Sequence, residues 1–332
     1  MTRAPRTAGS SRLRRIGQRA SQQQPAPDPG IGSASLKRLW RRLEKTVAVL
    51  ASIGALILVG FTWKSITQVN SSQAIDREGH ITDRYMAAVE LLGNRDSEEV
   101  RLGGLYGLQR VMQDSPRDQP TVINVVTTFI RAHSPKPKST LKLGELPSDI
   151  TAALAVLRTR DDRHDGNARV NLHDSDLKSA NLRGAVLTRA DLGGAYLRRA
   201  DLGDAYLRGA DLGDAYLGGA DLSGAHLGGA DLSGAHLNGA DLSRAKLGGA
   251  NLRYADLDAA DLARADLAGA DLAAATLVCA DLRGAVLLGA VILKDQLMSA
   301  GLSTGLALPA YLADDPELKK RAASKTKPDR CT

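Results

Sequence analysis

The stretch that decides the fold is Ala190-Asp-Leu-Gly-Gly-Ala-Tyr-Leu-Arg-Arg-Ala-Asp-Leu-Gly-Asp204. Leucine occupies every fifth position from Leu172 to Leu287, which makes 24 leucines without a gap. Alanine likewise occupies every fifth position from Ala180 to Ala290, which makes 23 alanines. A fixed period of this kind indicates a repeat architecture, in which each unit packs on its neighbours.

The five-residue period excludes the two common secondary structures. On an α-helix the leucines would advance by about 140° per repeat and would never form one face. On a flat strand an odd spacing would send successive leucines to opposite faces. A chain that turns a corner once per repeat keeps every leucine inside, and the small Gly, Ser and Asn residues after each leucine suit tight corners.

The units Ala190–Gly194 and Ala210–Asp214 resemble the pentapeptide repeat proteins. That resemblance implies a right-handed quadrilateral β-helix with four repeats per coil, over residues 168–292. Its 24 leucines would then form six coils, a core about 29 Å long at ~4.8 Å per coil. The chain has only two Phe and two Trp, as expected for a narrow interior of leucine and alanine. We expect the fold class to be mainly β solenoid with a small helical module and a transmembrane helix.

On this geometry, residues that are 20 apart share one outer face. The residue before each leucine then forms columns whose members lie about 5 Å apart. Two columns are acidic and two are aromatic or mixed. The predicted core leucines include Leu192, Leu202, Leu212, Leu222, Leu232 and Leu242, and the candidate interaction residues are Tyr196, Tyr216 and His236 on one face, Tyr206 and His226 on another, and Asp201, Asp221 and Asp241 on a third.

Three interpretations of the acidic columns remain open. They could form a cation-binding stripe, or a surface that imitates nucleic-acid phosphates, since some relatives are thought to act as DNA mimics against type II topoisomerases. Alternatively, each aspartate accepts a hydrogen bond from a corner amide. Residues 169–292 contain 16 Asp and no Glu against 12 Lys and Arg, a net charge of −4. A dedicated DNA mimic should be far more acidic, so this count disfavours that role.

The N-terminal region has a different composition. Residues 1–36 are rich in Arg, Ser, Gln and Pro, which predicts a disordered basic arm. Residues 46–63 carry no charge and are flanked by basic residues and by Trp40 and Trp63, which predicts a transmembrane helix. A signal peptide and a buried soluble helix are the alternatives. Residues 1–45 have a net charge of +9, so the positive-inside rule places the N-terminus in the cytoplasm and the repeats outside a single-pass membrane protein.

The segments on either side of the repeats resemble end caps. Residues 65–160 have helical periodicity and are similar to a helical module that often precedes the repeats in bacterial relatives. Within it, Asp96 with Glu99 predicts a capping box. We expect a C-terminal cap at 293–312 and a flexible tail at 313–332. Cys279 should face outward, so no structural disulfide is expected between it and Cys331, the other cysteine.

The motifs of common enzyme classes are absent from the sequence. There is no phosphate-binding glycine loop, no Cys-x-x-Cys, no His-Glu-x-x-His and no Gly-x-Ser-x-Gly. His226 and His236 would lie on opposite faces and cannot share a metal. We therefore predict no catalysis, cofactor or metal, and a rigid scaffold that binds an unknown protein partner. A topoisomerase-directed DNA mimic and a purely structural spacer are the alternatives, while the oligomeric state is left open.

Overall fold

The computed structural model describes residues 72–137, 145–302 and 306–324, all of which belong to the compact unit Thr62–Thr332. Helices come first: α1 (Ser72–Leu92), α2 (Glu98–Asp114), α3 (Gln119–His133) and α4 (Ser148–Arg158). Short 3₁₀ turns at Pro116–Asp118 and Asp162–His164 follow α2 and α4. The repeats come next, and α5 (Lys294–Met298) and α6 (Pro316–Ser324) follow them.

The N-cap of helix α2 lies one residue later in the chain than predicted. Ser97, not Asp96, is the N-cap, and its hydroxyl accepts a hydrogen bond from the Val100 amide at 3.2 Å. The same hydroxyl donates to Glu99 at 2.7 Å. This donation lowers the pKa of the Glu99 carboxyl, assisted by Arg101. Ser97 can take this position because a serine hydroxyl satisfies an unpaired amide of the first turn as well as an aspartate carboxylate does.

The helical module packs α1 closely against α2. Gly104 makes this possible, because a Cβ placed there would lie 2.7 Å from the Ala88 carbonyl oxygen and 2.8 Å from the Leu92 amide. Backbone atoms cannot swing away as a flexible side chain can, so the helices need a residue without a side chain at this point. The fully buried core around this contact includes Leu105, Leu108, Ile123, Ile130, Ile150 and Leu154.

The repeats form a solenoid whose coil contains 20 residues. Parallel bridges join residues that precede a leucine to the residues 20 positions later, from Asn171↔Asp191 to Asp271↔Val291 on one face and in the same register on the other three until the last coil, where Val286 bridges Ala307. In one representative unit, Leu192 N donates to Asp211 O at 2.8 Å, and Asp211 N donates to Ala190 O at 2.9 Å. The predicted register of the columns is therefore present.

The predicted β-strands are absent from the described residues, which contain isolated bridges only. The fold class of a mainly β solenoid is corrected in this respect. The physical reason is the length of the repeat: four of its five residues belong to the corner turn, so each side of the coil leaves one residue free to bridge. A strand needs at least a few consecutive paired residues.

The interior is filled by the predicted residues. Every leucine of the run from Leu172 to Leu287 is 2% exposed or less, including Leu192, Leu202, Leu212, Leu222, Leu232 and Leu242. The alanines of the second run are similarly buried. Full burial of a leucine side chain contributes about 1.5–3 kcal/mol relative to exposure. The stacked leucines and alanines therefore form one continuous core along the repeats.

Each corner is a tight turn that starts at a core leucine. In the first complete aspartate repeat, Ala195 N donates to Leu192 O at 3.0 Å, and the turn residue Gly194 has a φ of +63°. The equivalent residue has a positive φ at all 24 corners from Asp174 to Gly289. Twelve of these residues are glycine and twelve are not. This pattern is that of a type II turn, in which a residue with a Cβ is strained by about 1 kcal/mol or more.

The first coil is covered by the helical module. The segment after α3 pairs with it, because Asp176 N donates to Ser134 O at 2.8 Å and Pro135 bridges Ser175. Arg160, whose side chain is buried, donates to the Val186 carbonyl at 2.8 Å and forms an ion pair with Asp165 at 2.9 Å. These contacts satisfy backbone groups that an open coil would leave unpaired.

The last coil is covered by α5 and the segment that follows it. The Gln296 amide donates to the carbonyls of Leu272 at 2.8 Å and Ala275 at 2.7 Å. The Tyr311 hydroxyl accepts from Ile292 N at 3.0 Å. Helix α6 lies within the predicted flexible tail, 313–332, and its Leu318 is fully buried. The tail prediction is therefore corrected for these residues: Lys294 holds the start of α6 by pairing with Asp315 at 3.0 Å.

The membrane predictions also need correction. The predicted transmembrane helix, 46–63, and the basic arm, 1–36, lie outside the described residues. Among the helices that the structure describes, none is both long and apolar enough to span a bilayer. The described helices therefore do not support the transmembrane helix of the predicted fold class, nor the single-pass localisation with a cytoplasmic N-terminus and external repeats.

The disulfide prediction is wrong as well. Cys279 is disulfide-bonded, although its corner position faces away from the leucine core as expected. Because Cys279 points outward, it cannot form a disulfide inside the solenoid, but this direction does not exclude a disulfide with a segment outside the solenoid. Cys331, the other cysteine of the chain, lies outside the described residues.

We predict that Gly104→Ala destabilises the protein by about 1–3 kcal/mol, because the new methyl group overpacks the contact with α1. Gly103→Ala is the matched control, since Gly103 is exposed and an added Cβ would have only one neighbour, at 4.0 Å. Helix propensity should make that control neutral or stabilising. Urea unfolding monitored by circular dichroism would measure both changes, and equal effects would contradict the close-contact explanation.

We predict that Gly269→Ala lowers the free energy of unfolding by about 1 kcal/mol, because alanine is strained at a positive φ. The site isolates this backbone effect, since φ is +67° and no atom lies within 4 Å of the added Cβ. The reverse change, Ala274→Gly at φ +60°, should be neutral or stabilising despite the entropy of glycine. Urea midpoints measure both, and stabilisation by Gly269→Ala would refute the corner-strain argument.

Candidate functional site

The solenoid has four faces, numbered in chain order. Face 1 carries the column that begins at Asn171, face 2 the column from Asp176, face 3 the column from Asn181 and face 4 the column from Val186. The predicted interaction residues lie on three of them. Face 2 carries Tyr196, Tyr216 and His236, face 3 carries Asp201, Asp221 and Asp241, and face 4 carries Tyr206 and His226.

The aspartates of faces 1 and 3 hold the corners of the coil. The Oδ1 atom of each accepts a hydrogen bond from the amide two residues later, for example from Gly213 to Asp211 at 2.9 Å and from Ser243 to Asp241 at 2.8 Å. The same bond occurs at Asp201 and Asp221. No backbone acceptor reaches this amide, so the aspartate side chain satisfies it.

Arginines offset part of the acidic charge on face 3. Arg183 lies beside three carboxylates, at 3.1 Å from Asp201, 3.3 Å from Asp221 and 3.4 Å from Asp204. Arg283 pairs with Asp281 at 2.6 Å. No group of His, Cys, Asp or Glu with the geometry of a metal site occurs in the part of the chain that the structure describes. The acidic columns are thus engaged in corner and ion-pair contacts.

The pKa of Asp221 reflects these contacts. Burial by itself would raise the pKa of this carboxyl, but hydrogen bonds from the Ser223 hydroxyl and amide, together with Arg183, lower it overall. At Asp271 on face 1, the hydrogen bond from the Ala273 amide lowers the pKa most, and Arg253 at 3.1 Å lowers it further. Both carboxylates are therefore held in the charged form.

Face 2 presents a stack of aromatic rings. The rings of Tyr196 and Tyr216 lie 4.3 Å apart at 17°, and those of Tyr216 and His236 lie 4.7 Å apart at 17°. Tyr196 is only 3% exposed, because the ammonium groups of Lys136 and Lys178 each lie 5.7 Å from its ring centre. Tyr196 is thus removed from the surface that a partner can reach, while His236 is exposed.

Face 4 presents a second column with a recess beside it. Tyr206 is 47% exposed, and its ring lies 4.8 Å from that of His226 at 51°. The Lys246 ammonium lies 3.2 Å from Nε2 of His226. These three side chains, with Arg208 and Thr188, line a recess of about 590 Å³. Sequence reasoning missed Arg208 and Lys246 as site residues, although both follow from the 20-residue register.

The pKa of Asp221 predicts a dependence of stability on pH. Because its folded pKa is lowered, the charge of Asp221 stabilises the folded state above the unfolded pKa of 3.8, and this contribution is lost as pH falls through the folded value. Asp221→Asn keeps the acceptor for Ser223 but removes the charge. We expect it to cost less than about 1 kcal/mol at pH 7, since the side chain is 40% exposed, and progressively less as pH falls below 3.8.

Thermal or urea unfolding of both proteins across pH 2–7 would measure this difference. Arg183→Gln provides the control, because the effect of Asp221→Asn should shrink when the arginine is absent. A difference that does not change with pH would contradict the assignment.

Comparisons with known proteins agree on the repeats. The family model described as pentapeptide repeats matches eight copies, on segments between residues 168 and 289. A search of curated proteins gives no significant match. The crystal structure of HetL, a pentapeptide repeat protein involved in heterocyst differentiation regulation in the cyanobacterium Nostoc, is 34% identical; the match covers 43% of this chain and 72% of HetL, with a TM-score of 0.26.

A second pentapeptide repeat protein from Nostoc is 38% identical over 34% of this chain and 84% of its own length, with a TM-score of 0.23. QnrB1, a plasmid-mediated fluoroquinolone resistance protein, is 20% identical over 44% of this chain and 84% of its own, with a TM-score of 0.23. The assignment rests on the repeat sequence and on the identity to the two Nostoc proteins, not on the superpositions. Through its residues 168–289, the chain belongs to the pentapeptide repeat family.

Proposed function

We propose that this protein is a rigid scaffold that binds a partner protein through faces 2 and 4 of its solenoid. The observation that carries the proposal is the pair of side-chain columns on these faces, where exposed aromatic and basic residues replace the aspartates that hold the corners elsewhere. Tyr and Arg are the residue types that most often supply binding energy at protein interfaces. Tyr206 and Arg208 lie side by side on face 4.

Rigidity supports a scaffold role because it lowers the entropy lost on binding. Each repeat is tied to its neighbouring coil by backbone hydrogen bonds on both sides of the bridge residue, as at Leu192 and Asp211. A third bond joins the corners, where Gly194 N donates to Gly213 O at 2.8 Å. Side chains on such a frame are preorganised, and preorganisation raises affinity without additional contact area.

Two alternatives fit the structure less well. A DNA mimic needs free carboxylates, whereas Asp201, Asp221 and Asp241 accept hydrogen bonds from corner amides, and Arg183 offsets the charge of the first two. A purely structural spacer has no need of Tyr206, His226 and Lys246 at the positions where faces 1 and 3 carry the aspartates that hold the corners. Neither alternative accounts for the change of residue type on faces 2 and 4.

A photo-crosslinking experiment tests the proposal in the cells from which the protein comes. A benzophenone amino acid would replace His236 on face 2 or Tyr206 on face 4 in the full chain. Tyr254 is the matched control, because it is also an exposed aromatic residue but lies at the corner after face 1. We expect His236 or Tyr206 to give a discrete protein adduct that Tyr254 does not give.

Each other outcome contradicts the proposal in a distinct way. No discrete adduct at any of the three positions would favour the structural spacer. The same adducts at all three positions would indicate nonspecific contact. An adduct identified by mass spectrometry as a topoisomerase subunit, with inhibition of supercoiling by the purified protein, would favour the DNA mimic instead.

A further inference from the structure

The corner amides on face 4 differ from those on the acidic faces. On faces 1 and 3 an Asp or Asn side chain accepts a hydrogen bond from the amide two residues later, as Asp211 does from Gly213. On face 4 the equivalent positions hold Tyr206, His226 and Lys246, whose side chains do not accept from those amides. As a result, the amides of Arg208, Gly228 and Gly248 donate to no acceptor within 72–137, 145–302 and 306–324.

The cations beside these amides also lack an anionic partner. Neither Arg208 nor Lys246 forms an ion pair with any described carboxylate, although both side chains are exposed in a domain that is acidic overall. Lys246 instead lies 3.2 Å from the imidazole of His226. The recess of about 590 Å³ thus gathers two cations and unpaired amide donors against the ring of Tyr206.

The recess is open to solvent because its corners are glycines. A Cβ added at Gly229 would have no atom within 4 Å, and the same holds at Gly249. A Cβ at Gly228 or Gly248 would lie 3.6 Å from the carbonyl of the next coil, so the floor is bare backbone. An incoming group can therefore reach the amides directly.

We propose that this recess binds carboxylates of an acidic segment in a partner protein. A partner carboxylate would occupy the place that the aspartate carboxylate takes on faces 1 and 3, accepting from the Gly228 or Gly248 amide and pairing with Lys246 or Arg208. The amides repeat once per coil, about 4.8 Å apart, so an extended acidic segment running along the rod can use more than one. Hydrogen bonds from charged groups and backbone amides to a carboxylate are the stronger kind.

A peptide fits this site better than a nucleic acid. Two cations, Arg208 and Lys246, line the recess, and the column returns to a carboxylate at Asp266, which accepts from the Ala268 amide at 3.1 Å. A phosphate backbone needs several cations along its length for affinity.

The test uses the full chain and a fluorescent hexaglutamate peptide with blocked ends, at about 0.15 M salt. We expect saturable binding by fluorescence anisotropy, with the amide signals of Gly228 and Gly248 moving in a ¹⁵N-glycine NMR titration. Lys246→Asp should weaken binding about tenfold or more, because it removes a cation and supplies an internal acceptor to the Gly248 amide. Asp266 shows that the column accepts aspartate, so this variant should fold.

Arg199→Asp is the matched control. It makes the same change of two charge units at an exposed corner between faces 2 and 3, and aspartate already occurs at the equivalent positive-φ positions Asp204 and Asp214. We expect its affinity for the peptide to stay within about twofold of the unmodified protein, since distant surface charges are screened. Equal losses in Arg199→Asp and Lys246→Asp would overturn the recess as the binding site.

Two further probes decide between sources of the anion. Inorganic phosphate that binds as tightly as the peptide would show a site for free anions and overturn the partner segment. An oligothymidylate that binds more tightly than the peptide and moves the same glycine signals would replace the peptide with a nucleic acid. This inference deepens the proposed scaffold function, but the peptide titration can fail while crosslinking at His236 still identifies a partner on face 2.

Discussion

The tight turn after each core leucine is the constraint on which the repeat domain depends. It returns the chain to the core after five residues, so that leucine and alanine always face inward, and it requires a positive φ at its third residue. Twelve corners meet this requirement without glycine and carry strain. The buried leucines and the hydrogen bonds between coils must offset that strain, which explains why the core pattern has no gap.

The same turn creates a hydrogen-bonding problem that organises the outer surface. The amide after each leucine has no backbone acceptor, and the aspartates of faces 1 and 3 satisfy it. These columns are therefore acidic for a structural reason. Where the chain substitutes Tyr, His or Lys, it gives up that stabilisation and presents an aromatic or basic group instead. Such departures from a repeat are where function is expected, because nothing in the fold requires them.

The ends of the solenoid need interactions that the repeat cannot provide. At one end Arg160 and Ser134 bond to the first coil, and at the other Gln296 and Tyr311 bond to the last. These residues belong to segments without repeat character, and they satisfy carbonyl and amide groups that would otherwise pair with other chains. The closely packed helices around Gly104 hold the first set in place.

The sequence alone determined the leucine and alanine core, because a strict period of five with one corner per repeat keeps both residues facing inward. The resemblance to the pentapeptide repeat family supplied the coil of four repeats and with it the membership of each column. It overestimated the β content, since it could not show that the corners take up four residues of every five. Only the tertiary structure revealed that Lys136 and Lys178 cover Tyr196, that Ser97 caps α2, and that Cys279 is disulfide-bonded. The unpaired amides of Gly228 and Gly248 beside Arg208 and Lys246 emerged in the same way, because hydrogen-bond partners and side-chain directions depend on contacts between coils that are distant in the chain.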